Sequence, residues 1–256
     1  MLKNITIIGS GNVATHLGKA LLNIGCSINQ VYSPNKDNAF DLANELNAMP
    51  CNDMKFITDE SEVYIICIKD DFIAEIAQQL LFNNKIVVHT SGSIVLDVLN
   101  QFDNYGIFYP LQTFSKDTAV NISDVPFCIE ANNESTKNQL LTLAKTLSSK
   151  VYEINSEQRK KIHVAAVFAC NFSNYLYSIS EDILKENNMD LELLKPLILE
   201  TAKKIQTNSP KDVQTGPAKR NDQEVIENHI KLLGNNPAYQ EIYKLMTQAI
   251  IDKPKS

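Results

Sequence analysis

Tryptophan is absent from this chain, and only 8 glycines and 9 prolines punctuate 256 residues. That scarcity excludes collagen-like and low-complexity chains. Cysteine is sparse and unpaired in pattern. The five, at 26, 51, 67, 128 and 170, are odd in number and form no CxxC pair, so neither a zinc site nor a disulfide framework is suggested. Cys67 and Cys128 lie in apolar runs, where a free thiol acts as a small hydrophobe. The reading is a reduced, cytoplasmic protein with no metal site. Positive charge is also short, 24 Lys+Arg against 30 Asp+Glu, net −6. That argues against broad electrostatic binding to nucleic acid or anionic membrane. No apolar run reaches the ~18 residues of a membrane span. The opening Met1 to Gly9 is too short and wrongly flanked for a signal peptide and reads as a strand.

What is present is a globular composition, 44% hydrophobic and 21% charged, enough to bury a sizeable core. The first ~150 residues alternate strand and helix signals. Short β-branched runs at 5–8, 28–32, 63–68, 85–89, 105–109, 126–131 and 151–152 alternate with helical spacing at 13–24, 37–48, 72–82 and 135–148. The run Val63 to Ile68 is apolar on both faces, as a buried parallel strand requires. Such alternation predicts βαβ units. Strand signals vanish near residue 155. Only two glycines, Gly216 and Gly234, occur beyond it, and helical patterns cover roughly 156–188, 190–206, 222–233 and 237–251. Pro196 suits a first helical turn. The expected architecture is a doubly wound, mainly parallel α/β domain over 1–154 and an all-α domain over 155–256.

Gly9-Ser10-Gly11-Asn12-Val13-Ala14 fits G-x-G-x-x-A between a strand and a helix, followed by a second strand within about 30 residues. In that setting Gly9 allows the tight turn, Gly11 leaves room for a pyrophosphate, and Ala14 lets the helix pack on the sheet. Free N–H groups and the positive helix end hold the anion. Gly9, Ser10, Gly11, Asn12 and Val13 are therefore candidate cofactor residues. The second strand ends Tyr32-Ser33-Pro34-Asn35-Lys36, with no carboxylate to bond the 2′-OH of NAD. Ser33 and Asn35 offer hydrogen bonds and Lys36 a charge for a 2′-phosphate. NADP is expected over NAD. The plainer reading makes Asn35 and Lys36 a solvated turn.

Further words narrow the field: His89-Thr90-Ser91-Gly92-Ser93, Tyr109-Pro110-Leu111-Gln112-Thr113-Phe114-Ser115, His163 to Phe172, and Thr215-Gly216-Pro217-Ala218-Lys219-Arg220-Asn221-Asp222. Together with the glycine loop they resemble, over essentially the whole chain, a bacterial family of NADP oxidoreductases that join a Rossmann-like domain to a C-terminal domain of unknown function. The wider likeness is to the superfamily of 6-phosphogluconate, β-hydroxyacid and prephenate dehydrogenases. The resemblance implies the fold and a nicotinamide dinucleotide; it implies no substrate. In prephenate dehydrogenase and relatives a His-Pro pair follows the sixth strand. Tyr109 stands at that His here, and a phenol (pKa ~10) is a far weaker base than imidazole (~6.5). In the β-hydroxyacid dehydrogenases the interdomain helix carries a catalytic Lys with Asn four residues later. Asn171 fits the Asn, but Val167 occupies the Lys position.

The residues themselves leave several candidates. Thr90 and Ser91 follow a strand, where ligands bind in such sheets; Thr90 is assigned to the cofactor and Ser91 and Gln112 to the substrate. Ser93 could equally cap a short helix, and His89 could be a satisfied buried imidazole. His163 is the best acid/base candidate, since imidazole exchanges protons near neutral pH. An ideal helix puts it about 80° from Asn171, which would orient a carbonyl or the nicotinamide amide. Asn221 and Glu224 have capping-box spacing. Arg220 suits a carboxylate or phosphate, and Asp222 and His229 share a helix face. Two readings follow: an oxidoreductase moving hydride to or from a small, anionic carbonyl, hydroxy or imine compound bound between domains, or a non-catalytic dinucleotide sensor. A third is an enzyme of another nucleotide or a deazaflavin. Long apolar faces on the helical domain (Leu191, Leu194, Ile198, Leu199; Ile242, Leu245, Met246, Ala249, Ile250) imply a homodimer through it.

Overall fold

The computed structural model describes residues 2–116, 118–234 and 236–252. The chain divides into two compact units, Met1–Ala169 and Cys170–Ser256. In the first, strands and helices alternate as β1 (Asn4–Ile8), α1 (Asn12–Asn23), β2 (Ser27–Tyr32), α2 (Lys36–Glu45), β3 (Met49–Cys51), β4 (Val63–Ile66), α3 (Ile73–Gln79), β5 (Ile86–His89), β6 (Asn104–Pro110), β7 (Phe127–Ala131), α4 (Glu134–Leu147), β8 (Val151–Glu153) and α5 (Ser156–Ala166). The strands form one eight-stranded sheet in the order β3-β2-β1-β4-β5-β6-β7-β8. β3 through β6 in that order run parallel, and β7 turns antiparallel against β6. This is the expected Rossmann-type sheet, with its strand order reversing between β1 and β4, where such folds bind ligands.

Burial on both faces explains the unbroken apolar strands. Ile5, Ile7, Ile65, Val88 and Phe108 pack with Leu17, Leu21, Leu140 and Leu143 on one face. Ile8, Tyr64, Ile66 and Val87 pack with Ile73, Ala77, Leu99 and Phe102 on the other. Burying each large aliphatic side chain contributes about 1.5–3 kcal/mol. α1 approaches the sheet closely at Gly18 as well as at Ala14. A Cβ on Gly18 would stand 2.5 Å from Leu46 Cδ1 and 2.9 Å from Ile7 Cδ1. β3 has no counterpart among the expected strands. It is three residues long and contains Pro50, which a sheet tolerates at an edge.

Among the described residues of the second unit, α6 (Ser173–Lys185), α7 (Lys195–Lys204), α8 (Pro217–Arg220), α9 (Gln223–Leu232) and α10 (Pro237–Ile251) carry the regular structure besides short turns. Pro196 does lie in the first turn of α7. The helix expected over 156–188 is interrupted. Val167–Phe172 forms a π-helical turn between α5 and α6, so ideal α-helical spacing does not carry from His163 to Asn171. The cap expected at Asn221 is corrected too. Asn221 ends α8 in the left-handed region at φ 56°, and the Asp222 carboxylate caps α9, accepting from the Val225 N–H at 3.4 Å. Among the described residues of this unit only Ala218 and Ile226 are buried.

Candidate active site

The phosphate loop follows β1. Gly9 has φ 126°, and a Cβ there would stand 2.2 Å from the Cys67 carbonyl oxygen. Both facts demand glycine. Gly11 is different: its φ is −81°, and a Cβ would meet no protein atom within 4 Å. Neither strain nor packing within the chain accounts for glycine there. It heads α1, which has no side-chain cap and no acidic residue in its first turn. The N–H groups of that turn and the helix dipole are thus left for an external anion. A diphosphate fits this cradle, because no side chain fills the approach.

The end of β2 adjoins this loop. Ser10 Oγ donates to Ser33 Oγ at 2.9 Å. The Gly9 and Ser33 N–H groups bond to Tyr32 and Cys51 carbonyls at 2.8 and 3.0 Å. Asn35 caps α2 by accepting from the Asn38 N–H at 2.9 Å, and Lys36 lies exposed in its first turn. The candidates Ser33, Asn35 and Lys36 therefore stand at the strand end, with Asn35's oxygen already engaged. Asn12 is engaged as well. Its amide donates to the Phe114 carbonyl at 2.8 Å, and the His16 ring hydrogen-bonds the Ser115 carbonyl at 2.9 Å. These bonds tie the segment after β6 to α1. Gln112 in that segment is exposed, and its oxygen accepts from the Thr113 N–H at 2.8 Å.

The loop after β5 is pinned by its own side chains. His89 is fully buried. Its Nδ1 accepts from the Ser91 N–H at 3.1 Å, leaving Nε2–H to donate to the Val95 carbonyl at 3.4 Å. Burial, reinforced by the Arg159 charge, pushes its pKa down to about 3, so this imidazole is a neutral structural group. Thr90 Oγ1 donates to the Ile66 carbonyl at 3.3 Å. Ser91 Oγ accepts from the N–H groups of Ser93 and Ile94, both at 3.0 Å; the capping hydroxyl is that of Ser91, not Ser93. Each candidate here has an internal duty, and the Ser91 hydroxyl retains a proton to donate.

Gly92 in this loop makes room for a side-chain pair. The Tyr109 hydroxyl, at the end of β6, lies 3.1 Å from His163 Nδ1 on α5. The rings meet edge to face at 6.2 Å. A Cβ on Gly92 would stand 2.5 Å from His163 Nδ1 and 3.0 Å from Tyr109 Cζ. Burial pushes the Tyr109 phenol up to about 12, so it is a neutral hydroxyl. The sequence offered no sign of this partnership, because Tyr109 and His163 are 54 residues apart. The ends of β1, β4, β5 and β6 share one sheet edge, and Tyr109 stands at the same edge as the phosphate loop.

The other candidates lie in the second unit. Asn171 is exposed in the π turn. Arg220 is exposed at the end of α8. The Asp222 carboxylate caps α9, and His229 Nδ1 lies 2.8 Å from the Tyr243 hydroxyl. Among the described residues no three His, Cys, Asp or Glu side chains gather as a metal site would need. No described helix is long and apolar enough to cross a membrane.

Known proteins share this architecture. Residues 4–100 match the model of the family NADP oxidoreductase coenzyme F420-dependent. Residues 125–250 match Domain of unknown function (DUF2520). No curated protein matches. Among solved structures, the "putative NADP oxidoreductase BF3122" from Bacteroides fragilis is 41% identical, with 98% of each chain covered and a TM-score of 0.94. At lower identity the fold persists. Pyrroline-5-carboxylate reductase from Streptococcus pyogenes has 15% identity, covers 97% and 98% of the two chains and has a TM-score of 0.63. The imine reductase from Myxococcus stipitatus, in complex with NADP+, has 14% identity, coverage of 97% and 91%, and a TM-score of 0.61. With the glycine cradle, the sheet order and the 41% identity over nearly the whole length in agreement, the chain belongs to the NADP oxidoreductase family of the Bacteroides protein.

Proposed function

We propose that this chain binds NADP and catalyses hydride transfer to or from a small imine, carbonyl or hydroxy compound, with His163 exchanging the proton. The observation that carries the reading is the Tyr109–His163 pair, standing at the carboxyl edge of the sheet that also presents the uncapped start of α1. A bound nicotinamide supplies or accepts the hydride. The N–H groups of the Gly9 to Val13 turn would hold its diphosphate, and Ser33 and Lys36 would favour a 2′-phosphate. Thr90 would line the same edge.

The proton chemistry follows from the pair. While His163 is neutral, the Tyr109 O–H donates to Nδ1, so the other proton sits on Nε2. When His163 is charged, the phenol oxygen accepts from Nδ1–H. Either state is partnered, and Nε2 is the exchanging atom. A phenol with a pKa near 12 orients the ring without itself ionising. This assigns to His163 the role that Lys fills in the β-hydroxyacid dehydrogenases, where Val167 stands here. Ser91 and Gln112 at this edge are candidates for substrate polar groups. In the second unit Asn171, Arg220, Asp222 and His229 remain candidates, with Arg220 suited to an anionic group. Two of the fold neighbours are imine-reducing enzymes by name, which puts cyclic imines beside oxo-acids as first substrates to try.

The test is NADPH oxidation against small oxo-acids and imines by the purified protein and by His163→Ala. Losing a general acid or base lowers turnover by roughly 10²–10⁴-fold, with NADPH affinity unchanged. Binding of NADPH with no turnover on any member would favour the sensor reading. We also infer a homodimer through the helical unit. Leu197, Leu199, Leu245 and Met246 are exposed in the single chain, a large apolar area for a soluble surface. Light scattering at micromolar concentration should give twice 28.7 kDa; the monomer mass would refute it.

A further inference from the structure

The bulkiest fully buried side chain among the described residues is charged: Arg159. It lies one helical turn before His163 on α5. Its guanidinium reaches three separate elements. Nη1 pairs with Glu130 Oε2 on β7 at 2.5 Å. Nη2 donates to the Ile94 carbonyl in the loop after β5 and to Ser156 Oγ at 3.2 Å. Ser156 closes the network, donating to Glu130 Oε2 at 2.8 Å and accepting from the Leu96 N–H at 3.1 Å. The Arg159 Nε–H is the one buried side-chain polar group without a hydrogen-bond partner among the described residues.

A buried ion pair is a weak device for stability, since desolvating both charges offsets much of their attraction. Its value lies in geometry. The planar fork fixes directions that a lysine ammonium leaves free. Here the fork locks α5 to β7 and to the same loop whose Gly92 touches His163. Residues i and i+4 share a helix face, so Arg159 and His163 face this loop from successive turns. The loop is held on its other side by His89 and Ser91, as described above. With Arg159 in place, the separation of His163 Nδ1 from the Tyr109 hydroxyl is set by packed, hydrogen-bonded parts on both sides.

We propose that Arg159 is the positioning residue of the His163–Tyr109 pair: its guanidinium, bridging Glu130 and Ile94, holds His163 within hydrogen-bond reach of Tyr109. This rests on the reading of His163 as the proton-exchanging group, but its test does not need turnover.

The experiment reads the ring nitrogens of His163 by NMR in the full-length protein, at a pH where the imidazole is neutral. The Tyr109 O–H donating to Nδ1 should hold the ring proton on Nε2, and Tyr109→Phe should release that tautomer and change the Nδ1 chemical shift. In an Arg159→Lys background, the same Tyr109→Phe change should alter the Nδ1 shift by less than about a third as much. Leu140→Ala, a core truncation on α4, serves as the control for simple loss of stability and should leave the Tyr109 effect at full size. Glu130→Gln, which keeps an acceptor but removes the charge partner, should give an intermediate effect and serves if Arg159→Lys does not fold. An undiminished Tyr109 effect in Arg159→Lys, or in Glu130→Gln, overturns the proposal. So does the absence of any Tyr109 effect in the parent. Failure of the functional reading shows separately, as unchanged turnover in His163→Ala.

Discussion

Acid should weaken this protein through one buried histidine. His89 has a native pKa of about 3, against ~6.5 for imidazole in an unfolded chain. Between those values the unfolded chain binds a proton that the native state refuses, so stability falls as the pH falls. The contribution is fully present above pH ~6.5 and is lost progressively toward pH 3. Linkage gives about 1.36 kcal/mol per pH unit while the difference is one proton. From pH 7 to pH 5 that amounts to about 2 kcal/mol from His89 alone. The cause is twofold: the ring is buried, and the Arg159 charge disfavours a second cation beside it. His89→Gln provides the comparison. Its amide can accept from the Ser91 N–H and donate to the Val95 carbonyl, yet it does not titrate. Urea unfolding at pH 7 and pH 5 would measure both proteins. The parent should lose about 2 kcal/mol more than the variant. Losses that agree within ~0.5 kcal/mol would refute the argument and mean that the native imidazole accepts a proton readily.

The glycines give three further expectations. Gly9→Ala combines a positive φ with a 2.2 Å approach to the Cys67 carbonyl and should cost about 3 kcal/mol or more; a melting temperature within ~2 °C of the parent would contradict it. A Cβ at Gly11 meets no protein atom within 4 Å, so in Gly11→Val thermal stability should hold while NADPH affinity falls at least about tenfold. Titration of the parent should show NADPH bound more tightly than NADH, and the reverse order would sink the reading of Ser33 and Lys36. Gly92→Ala drives a Cβ into His163 Nδ1 and should lower turnover with NADPH affinity kept; unchanged turnover would remove the pair from the mechanism.

The Rossmann-type unit was legible because its signals are local and periodic. A strand buried on both faces must be apolar throughout, and Val63 to Ile66 is. A phosphate loop must place glycine where φ is positive, and Gly9 does. The interruption at Val167 to Phe172 was not legible, because a π turn uses ordinary helix-forming residues. β3 escaped because Met49-Pro50-Cys51 has no strand period; its identity comes from the pairing with β2. The cap on α9 went to Asp222 rather than Asn221, since Asn221 adopts the left-handed conformation that ends α8.

The site divides along the same line. Composition, spacing and the G-x-G-x-x-A turn determined by themselves that the chain alternates β and α, then turns all helical, and that a glycine turn opens α1. They also singled out His163. Tertiary structure alone decided what His163 touches, because a hydrogen bond between Tyr109 and His163 depends on how β6 and α5 pack, and no local pattern records that. It made His89 the satisfied buried imidazole that the sequence had left open, and gave Ser91 the duty of a loop cap. It raised Arg159, one basic residue among 24 in the sequence, to the charge on which the loop after β5 is hung. A side chain's burial and its partners are properties of the packed chain, and they settle whether a histidine, a tyrosine or an arginine is solvated, structural or poised to exchange a proton.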